Sequence, residues 1–168
     1  DRGYEAIEEK LAQVGAQIGG RSWDLAATIE RPAGAGGVLY ATGNQNSGVT
    51  LFVQHDRLVF DYNCFGEHHV VASTALVPTG PSVVGVRFRR LAQGGEATLV
   101  IDGKTCGAVR VPFVMRMISS VGASVGYDHG SPVSLRYAGE FPFEGDLRRL
   151  DIDLVKPGTA DAAELAAT

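Results

Sequence analysis

The chain has 168 residues, 45% of them apolar, and a formal net charge of −4, with a mean hydropathy of +0.04. That length suits one domain with its own core, and that balance excludes a disordered chain. A pI near 5.5 with scattered arginines argues against nucleic acid as a partner, and no apolar run approaches the ~20 residues that cross a bilayer, so no membrane partner is expected.

The opening DRGYEAIEEKLAQVGAQIGG spaces Tyr4, Ile7, Leu11, Val14 and Ile18 three and four residues apart. That spacing predicts a short N-terminal helix over residues 1–20, stopped at Gly19-Gly20. From Ser22 the period becomes twofold. WDLAATIE sets Trp23, Leu25, Ala27 and Ile29 against Asp24, Thr28 and Glu30. SVVGVRFRRL sets Val84, Val86 and Phe88 against Arg87 and Arg89, and EATLVIDG sets Ala97, Leu99 and Ile101 against Glu96, Thr98 and Asp102. DLRRLDIDLV sets Leu150, Ile152 and Leu154 against Arg149, Asp151 and Asp153. Each pattern marks a half-buried antiparallel strand.

Turn residues fall between these runs at Arg31-Pro32, Gly34–Gly37, Gly43-Asn44, His55-Asp56, Pro78–Pro81, Gly94-Gly95 and Asp102-Gly103. Asp-Gly between two strands is the strongest hairpin signal of the set. About ten short strands in one domain predict an all-β antiparallel sandwich over residues 21–156. The Ala-rich end, residues 157–168, reads as a flexible tail.

Cys64 and Cys106 lie far apart in sequence and make neither a disulfide framework nor a CxxC zinc pattern. Two reduced, buried thiols are expected, with a single bridge as the alternative. Unpaired thiols and the lack of a visible signal sequence point to a reducing, cytoplasmic setting. The chain opens on Asp1 rather than Met, which we read as an excised piece of a longer protein.

The stretch VGYDHGSPVSLRY, residues 125–137, gathers an acid, an imidazole and several hydroxyls. One reading makes Asp128 a calcium ligand, but calcium takes six to eight oxygens and the stretch supplies one carboxylate. The other reading is a turn, with Asp128 and Ser131 capping backbone N–H groups and Gly130 at positive φ. Ser131, His129 and Asp128 are too close in sequence for the relay of a catalytic triad. His68 and His69 point to opposite faces of a strand, so they do not readily share a metal. One half-buried and one exposed histidine are expected. The outward Arg87, Arg89, Arg149 and Asp151, with Asp153, form the candidate ligand-binding set, for which carbohydrate is the expected class. No catalytic residue is assigned.

The run GGVLYATGNQNSGVTLFVQHDRLVFDYN, the hairpin ATLVIDGKTCG and the closing FEGDLRRLDIDL resemble the laminin-G-like, concanavalin A-like jelly roll. The ordered set LVFDYNCFG, VPTGPSVVGVRF, LVIDGK, VGYDHGSPVSLRY and FPFEGDLRRLDIDL is similar to the C-terminal domain of long bacterial arylsulfatases. That resemblance implies a noncatalytic accessory domain, with residues 1–20 as connector and the catalytic sulfatase domain of the same chain as partner. Calcium and formylglycine are implied for that catalytic domain and no cofactor for this segment. The sulfatase C/S-x-P-x-R motif has only the counterpart CGAVR here, with Ala108 at the proline position.

Overall fold

The alternation read from the sequence is reproduced strand by strand in the computed structural model, which describes residues 20–116 and 122–155. Ten strands form among the described residues: β1 (Trp23–Arg31), β2 (Gly37–Gly43), β3 (Gly48–Gln54), β4 (Arg57–Cys64), β5 (Glu67–Leu76), β6 (Gly80–Arg90), β7 (Gly95–Ile101), β8 (Lys104–Val111), β9 (Ala123–Val125) and β10 (Asp146–Leu154). They make two five-stranded antiparallel sheets, ordered β10-β1-β6-β7-β8 and β5-β4-β3-β2-β9. The fold is the predicted all-β sandwich. No helix occurs among the described residues, and the predicted helix, up to residue 19, and the tail over 157–168 lie outside them.

The first sheet has one dry and one wet face. Trp23, Leu25, Ala27 and Ile29 of β1 are buried beside Val84, Val86 and Phe88 of β6 and Ala97, Leu99 and Ile101 of β7. Aromatic rings tie this face to the second sheet. Trp23 stacks on Phe88 at 5.6 Å, Phe88 stacks on Tyr62 of β4 at 5.3 Å, and Trp23 meets Phe60 edge-on at 6.1 Å. Such pairs each add roughly 0.5–1.5 kcal/mol beyond the area they bury.

The second sheet is covered on both faces: every residue of β2 is buried, and β3 and β4 are buried except at their ends. Leu39, Leu51, Val53 and Phe60 face the main core. Val38, Ala41, Phe52 and Val59 face the other way and form a second small core with Val70, Ala72, Tyr137 and Phe141. Tyr137 and Phe141 belong to the long connection between β9 and β10. That connection is therefore a strap across the outer face of the second sheet, not a tight turn.

Two predicted turns are left-handed at both central residues, as hairpins of this twist require. They are His55-Asp56, at φ 53° and 62°, and Asp102-Gly103, at 48° and 81°. A third, Phe65-Gly66 at 53° and 90°, joins β4 to β5 and carries no turn signal in its first residue. Arg31 is 3% exposed. Its Nη1 donates to the Ala35 carbonyl at 2.8 Å and to Asp56 Oδ1 at 2.9 Å, and its Nη2 donates to the Val77 carbonyl at 2.8 Å. One buried guanidinium thus holds the β1–β2, β3–β4 and β5–β6 connections together.

Candidate functional site

Arg87, Arg89, Arg149 and Asp151 do meet on one surface, the wet face of the first sheet. Asp24 of β1 stands opposite Arg87 on one side and Asp153 on the other, while Ala26 stands opposite Asp151 and Gly85. Arg89 is clamped by Asp24, with Nη1 to Oδ1 at 2.6 Å and Nη2 to Oδ2 at 3.3 Å. Arg149 Nε donates to Asp151 Oδ2 at 2.8 Å, and Arg110 Nε lies 3.5 Å from Glu96 Oε2. The face thus engages Arg89, Arg149 and Arg110 with its own carboxylates, and its centre is bare. A Cβ at Gly85 would lie 2.1 Å from the Leu25 carbonyl oxygen, so only glycine fits there. None of the outward strand residues of this sheet is aromatic.

Beneath the strap runs a buried polar network. Asp128 is 1% exposed. Its Oδ2 accepts from the Val133 N–H at 2.8 Å and from Tyr137 Oη at 2.5 Å. Tyr137 Oη also lies 3.0 Å from Thr50 Oγ1 on β3. On β4, both oxygens of buried Asp61 approach His68 Nδ1, at 3.1 and 2.9 Å, and Ser134 bonds the same carboxylate. Asn63 Nδ2 donates to the Gln45 carbonyl at 2.9 Å and the Val133 carbonyl at 3.0 Å, and its Oδ1 accepts from the Gly66 N–H. Burial pushes the carboxyl pKa values of Asp128 and Asp61 up, opposed by the hydrogen bonds from Tyr137 and Val133 and from Ser134 and His68. Burial, reinforced by the Asp128 carboxylate, raises the Tyr137 phenol.

Asp128 thus caps backbone and hydroxyl donors, the role expected of it in a turn. No group of three His, Cys, Asp or Glu side chains converges as for a metal among the described residues. The residues Asp128, His129 and Ser131 do not bond one another. The His129 N–H goes to Ser124 Oγ at 3.3 Å, and Ser131 Oγ accepts from the Gln45 N–H at 3.1 Å. His68 and His69 do face opposite ways, yet both are half-buried, where one exposed histidine was expected; His69 Nε2 sits 3.7 Å from Glu67 Oε1. Both cysteines are free thiols, with Cys106 buried in β8 and its pKa raised by that burial. CGAVR therefore lies on a strand.

The sandwich is closed along one side, where Thr74 of β5 donates to the Cys106 carbonyl of β8 at 3.3 Å. On the other side, between the edge strands β9 and β10, it opens into a cleft of about 400 Å³. It is lined by the buried Val125 and Leu147, the aromatic Tyr127 and Phe143, and the exposed Pro142 and Glu140, with Gly126 and Gly145 between them. The Phe143 N–H donates to the Gly126 carbonyl at 2.9 Å and the Gly126 N–H to the Leu39 carbonyl at 3.0 Å, so backbone bonds hold the walls in place. The volume lies within the roughly 300–1,000 Å³ of small-ligand sites, and aromatic walls with a few polar groups are their usual lining. The sequence reading missed this cleft. Apart from Glu140, which lies between them, its lining residues fall in two quoted motifs, VGYDHGSPVSLRY and FPFEGDLRRLDIDL, but only the fold sets them side by side.

No protein-family profile and no curated protein matches the chain. Solved structures do. A carbohydrate-binding domain of a Ruminococcus gnavus sialidase, solved with α2,6-sialyllactose, matches with TM-score 0.63 at 14% identity over 91% of this chain and 86% of that one. The LG4–5 domains of the mouse laminin α1 chain match with TM-score 0.60 at 18% identity over 82% of this chain, which spans 40% of the laminin piece. A Limulus polyphemus pentraxin matches with TM-score 0.51 at 15% identity, over 88% and 70% of the two chains. These likenesses place the fold in the laminin-G-like jelly-roll class. They contain nothing that links the chain to arylsulfatases.

Proposed function

We propose that the chain is a noncatalytic, lectin-like module that binds carbohydrate in the cleft between β9 and β10. The observation that carries this reading is the composition of the lining: two aromatic residues, a side-chain type on which sugar rings stack, and one glutamate, a side-chain type that accepts hydrogen bonds from hydroxyl groups. The charged sheet face is the poorer candidate, since Arg89 and Arg149 are already engaged and no outward aromatic stands there. The likeness to a sialidase's carbohydrate-binding domain supports the ligand class. Amide NMR shifts during titration with mixed oligosaccharides test the reading. Shifts centred on Tyr127, Glu140 and Phe143 are expected; shifts centred on Arg87, Arg89, Arg149 and Asp151 would move the site to the sheet.

A second reading is favoured by the end of the sandwich where residue 20 sits. The Gly20 N–H donates to the Met115 carbonyl at 2.8 Å, and the Met115 N–H to Tyr62 Oη at 2.8 Å. Phe113, two residues before Met115, is 55% exposed, and Phe65, in the β4–β5 turn three residues after Tyr62, is 72% exposed. Two exposed phenylalanines suit contact with another domain. With the motif resemblance, they support an accessory domain packed against an arylsulfatase catalytic domain, which would bring the calcium and formylglycine. A C/S-x-P-x-R motif upstream of Asp1 in the parent chain is the expected finding, and a parent without it removes this reading.

A further inference from the structure

We infer that the ligand of the β9–β10 cleft is an uncharged glycan, and that Glu140 selects against sialylated and sulfated ones. This rests on the cleft being the carbohydrate site. Among the described residues, Glu140 is the one charged residue that lines it, and no lysine, arginine or histidine does. The neighbouring charges do not supply a cation. Glu144 is another carboxylate, with Oε1 accepting the Gly36 N–H at 2.9 Å. Arg148, on the adjoining part of β10, is committed to Glu30 and lies 3.9 Å from Asp146 Oδ2. His129 packs edge-on against the Tyr127 ring at 6.4 Å, outside the lining.

The field of Glu140 extends inward as well. Its charge is one of the influences that raise the Asp128 pKa beneath the strap. A ligand carboxylate or sulfate seated against Tyr127 and Phe143 would therefore face like charge at close range, without an arginine or lysine to pair with. Sugar hydroxyls suit the same edge, because a carboxylate is an acceptor of several hydrogen bonds. The aromatic walls take the apolar face of a sugar ring whatever its charge, so the discrimination lies with Glu140.

The test uses the full chain on a microarray of neutral oligosaccharides printed beside their sialylated and sulfated counterparts, with calorimetry on matched pairs such as lactose and 6′-sialyllactose. Neutral members are expected to bind, and their anionic partners about tenfold or more weakly, as like charges near a protein surface imply. Glu140→Gln should bring the two within about threefold, and Glu140→Lys should reverse the order. Both changes are at an exposed position and leave the fold intact, which thermal melts would check. Anionic members bound as well as neutral ones, with Tyr127→Ala abolishing both, would overturn the inference while leaving the cleft as the site. Binding that neither Tyr127→Ala nor Glu140→Lys alters would place the carbohydrate site outside the cleft and overturn the inference, and no binding at all would remove the carbohydrate reading itself.

Discussion

Tyr137 donates its phenolic proton to Asp128 Oδ2 over 2.5 Å, within the strap that both residues belong to. Thr50 of β3, 3.0 Å from the same hydroxyl, ties that pair to the sheet beneath. Tyr137→Phe leaves a buried carboxylate with only the Val133 N–H as partner. The expected cost is about 2 kcal/mol, toward the upper end for an orphaned buried group, and more than the ~1 kcal/mol of a surface cap. Urea denaturation measures it; an unchanged midpoint would mean the strap contributes nothing to the fold.

Burial raises the folded-state pKa of both Asp128 and Asp61 above the ordinary 3.8. A raised carboxyl pKa means the native state holds the proton more tightly than the unfolded state. Stability from these groups is then fully present below 3.8 and is lost as pH rises through the raised folded values. Midpoints measured at successive pH values should fall across that window. Asp128→Asn, which keeps an oxygen for Val133 and Tyr137, should flatten the slope. An identical slope in the variant would assign the effect elsewhere.

Arg31 satisfies the Ala35 and Val77 carbonyls and pairs with Asp56 from a buried position. Arg31→Met keeps most of the volume but removes the donor from the Ala35 and Val77 carbonyls and the longer, 3.4 Å bond to the Pro78 carbonyl. Destabilisation of about 2–3 kcal/mol is expected. Because Asp56 is itself 48% exposed, Asp56→Asn should cost much less, under about 1 kcal/mol. Equal costs would show that the ion pair, not the carbonyl bonding, matters.

Phe65 holds φ at 53° while 72% exposed. A bulky side chain in the left-handed region is strained by about 1–2 kcal/mol, and nothing in its burial offsets that. Phe65→Asn should therefore raise stability by about 1 kcal/mol, although it deletes an aromatic ring. A lower melting temperature would mean the ring has packing value in the free chain.

Calcium should leave the isolated chain unchanged. A site saturated a hundredfold over its Kd would add about 2.7 kcal/mol, several degrees in melting temperature for a domain of this size. Melts in EDTA and in millimolar calcium are expected to coincide. A calcium-dependent rise that disappears in Asp128→Ala would make the strap a metal site.

The strands that alternation alone revealed, β1, β6, β7 and β10, all belong to one sheet. That sheet has a wet face, so its outward positions carry Asp24, Arg87, Glu96 and Arg149 and the period of two shows. The residues of β2, β3 and β4 are buried on both sides, so GVLYATG and GVTLFVQ read as mostly apolar runs, broken only by Thr42, Thr50 and the terminal Gln54, without a period of two. Turn chemistry was legible at His55-Asp56 and Asp102-Gly103, where short polar residues tolerate positive φ, and illegible at Phe65-Gly66, where an aromatic occupies that conformation. The candidate site followed the same division. Arg87, Arg89, Arg149 and Asp151 could be placed on one face by counting in twos, but not which of them Asp24 and each other would neutralise. Asp128 could be read as a cap, but its burial depends on a strap that crosses β3 and β4, far away in sequence. The cleft needed more still: Tyr127 and Glu140 come near each other because the strap folds back on itself, with the Asp128 N–H donating to the Glu140 carbonyl at 2.8 Å, and Val125 and Leu147 join them from edge strands of different sheets. Periodicity and turn residues are local and survive in the sequence; the pairing of edges and the covering of faces are long-range, and only the folded chain decides them.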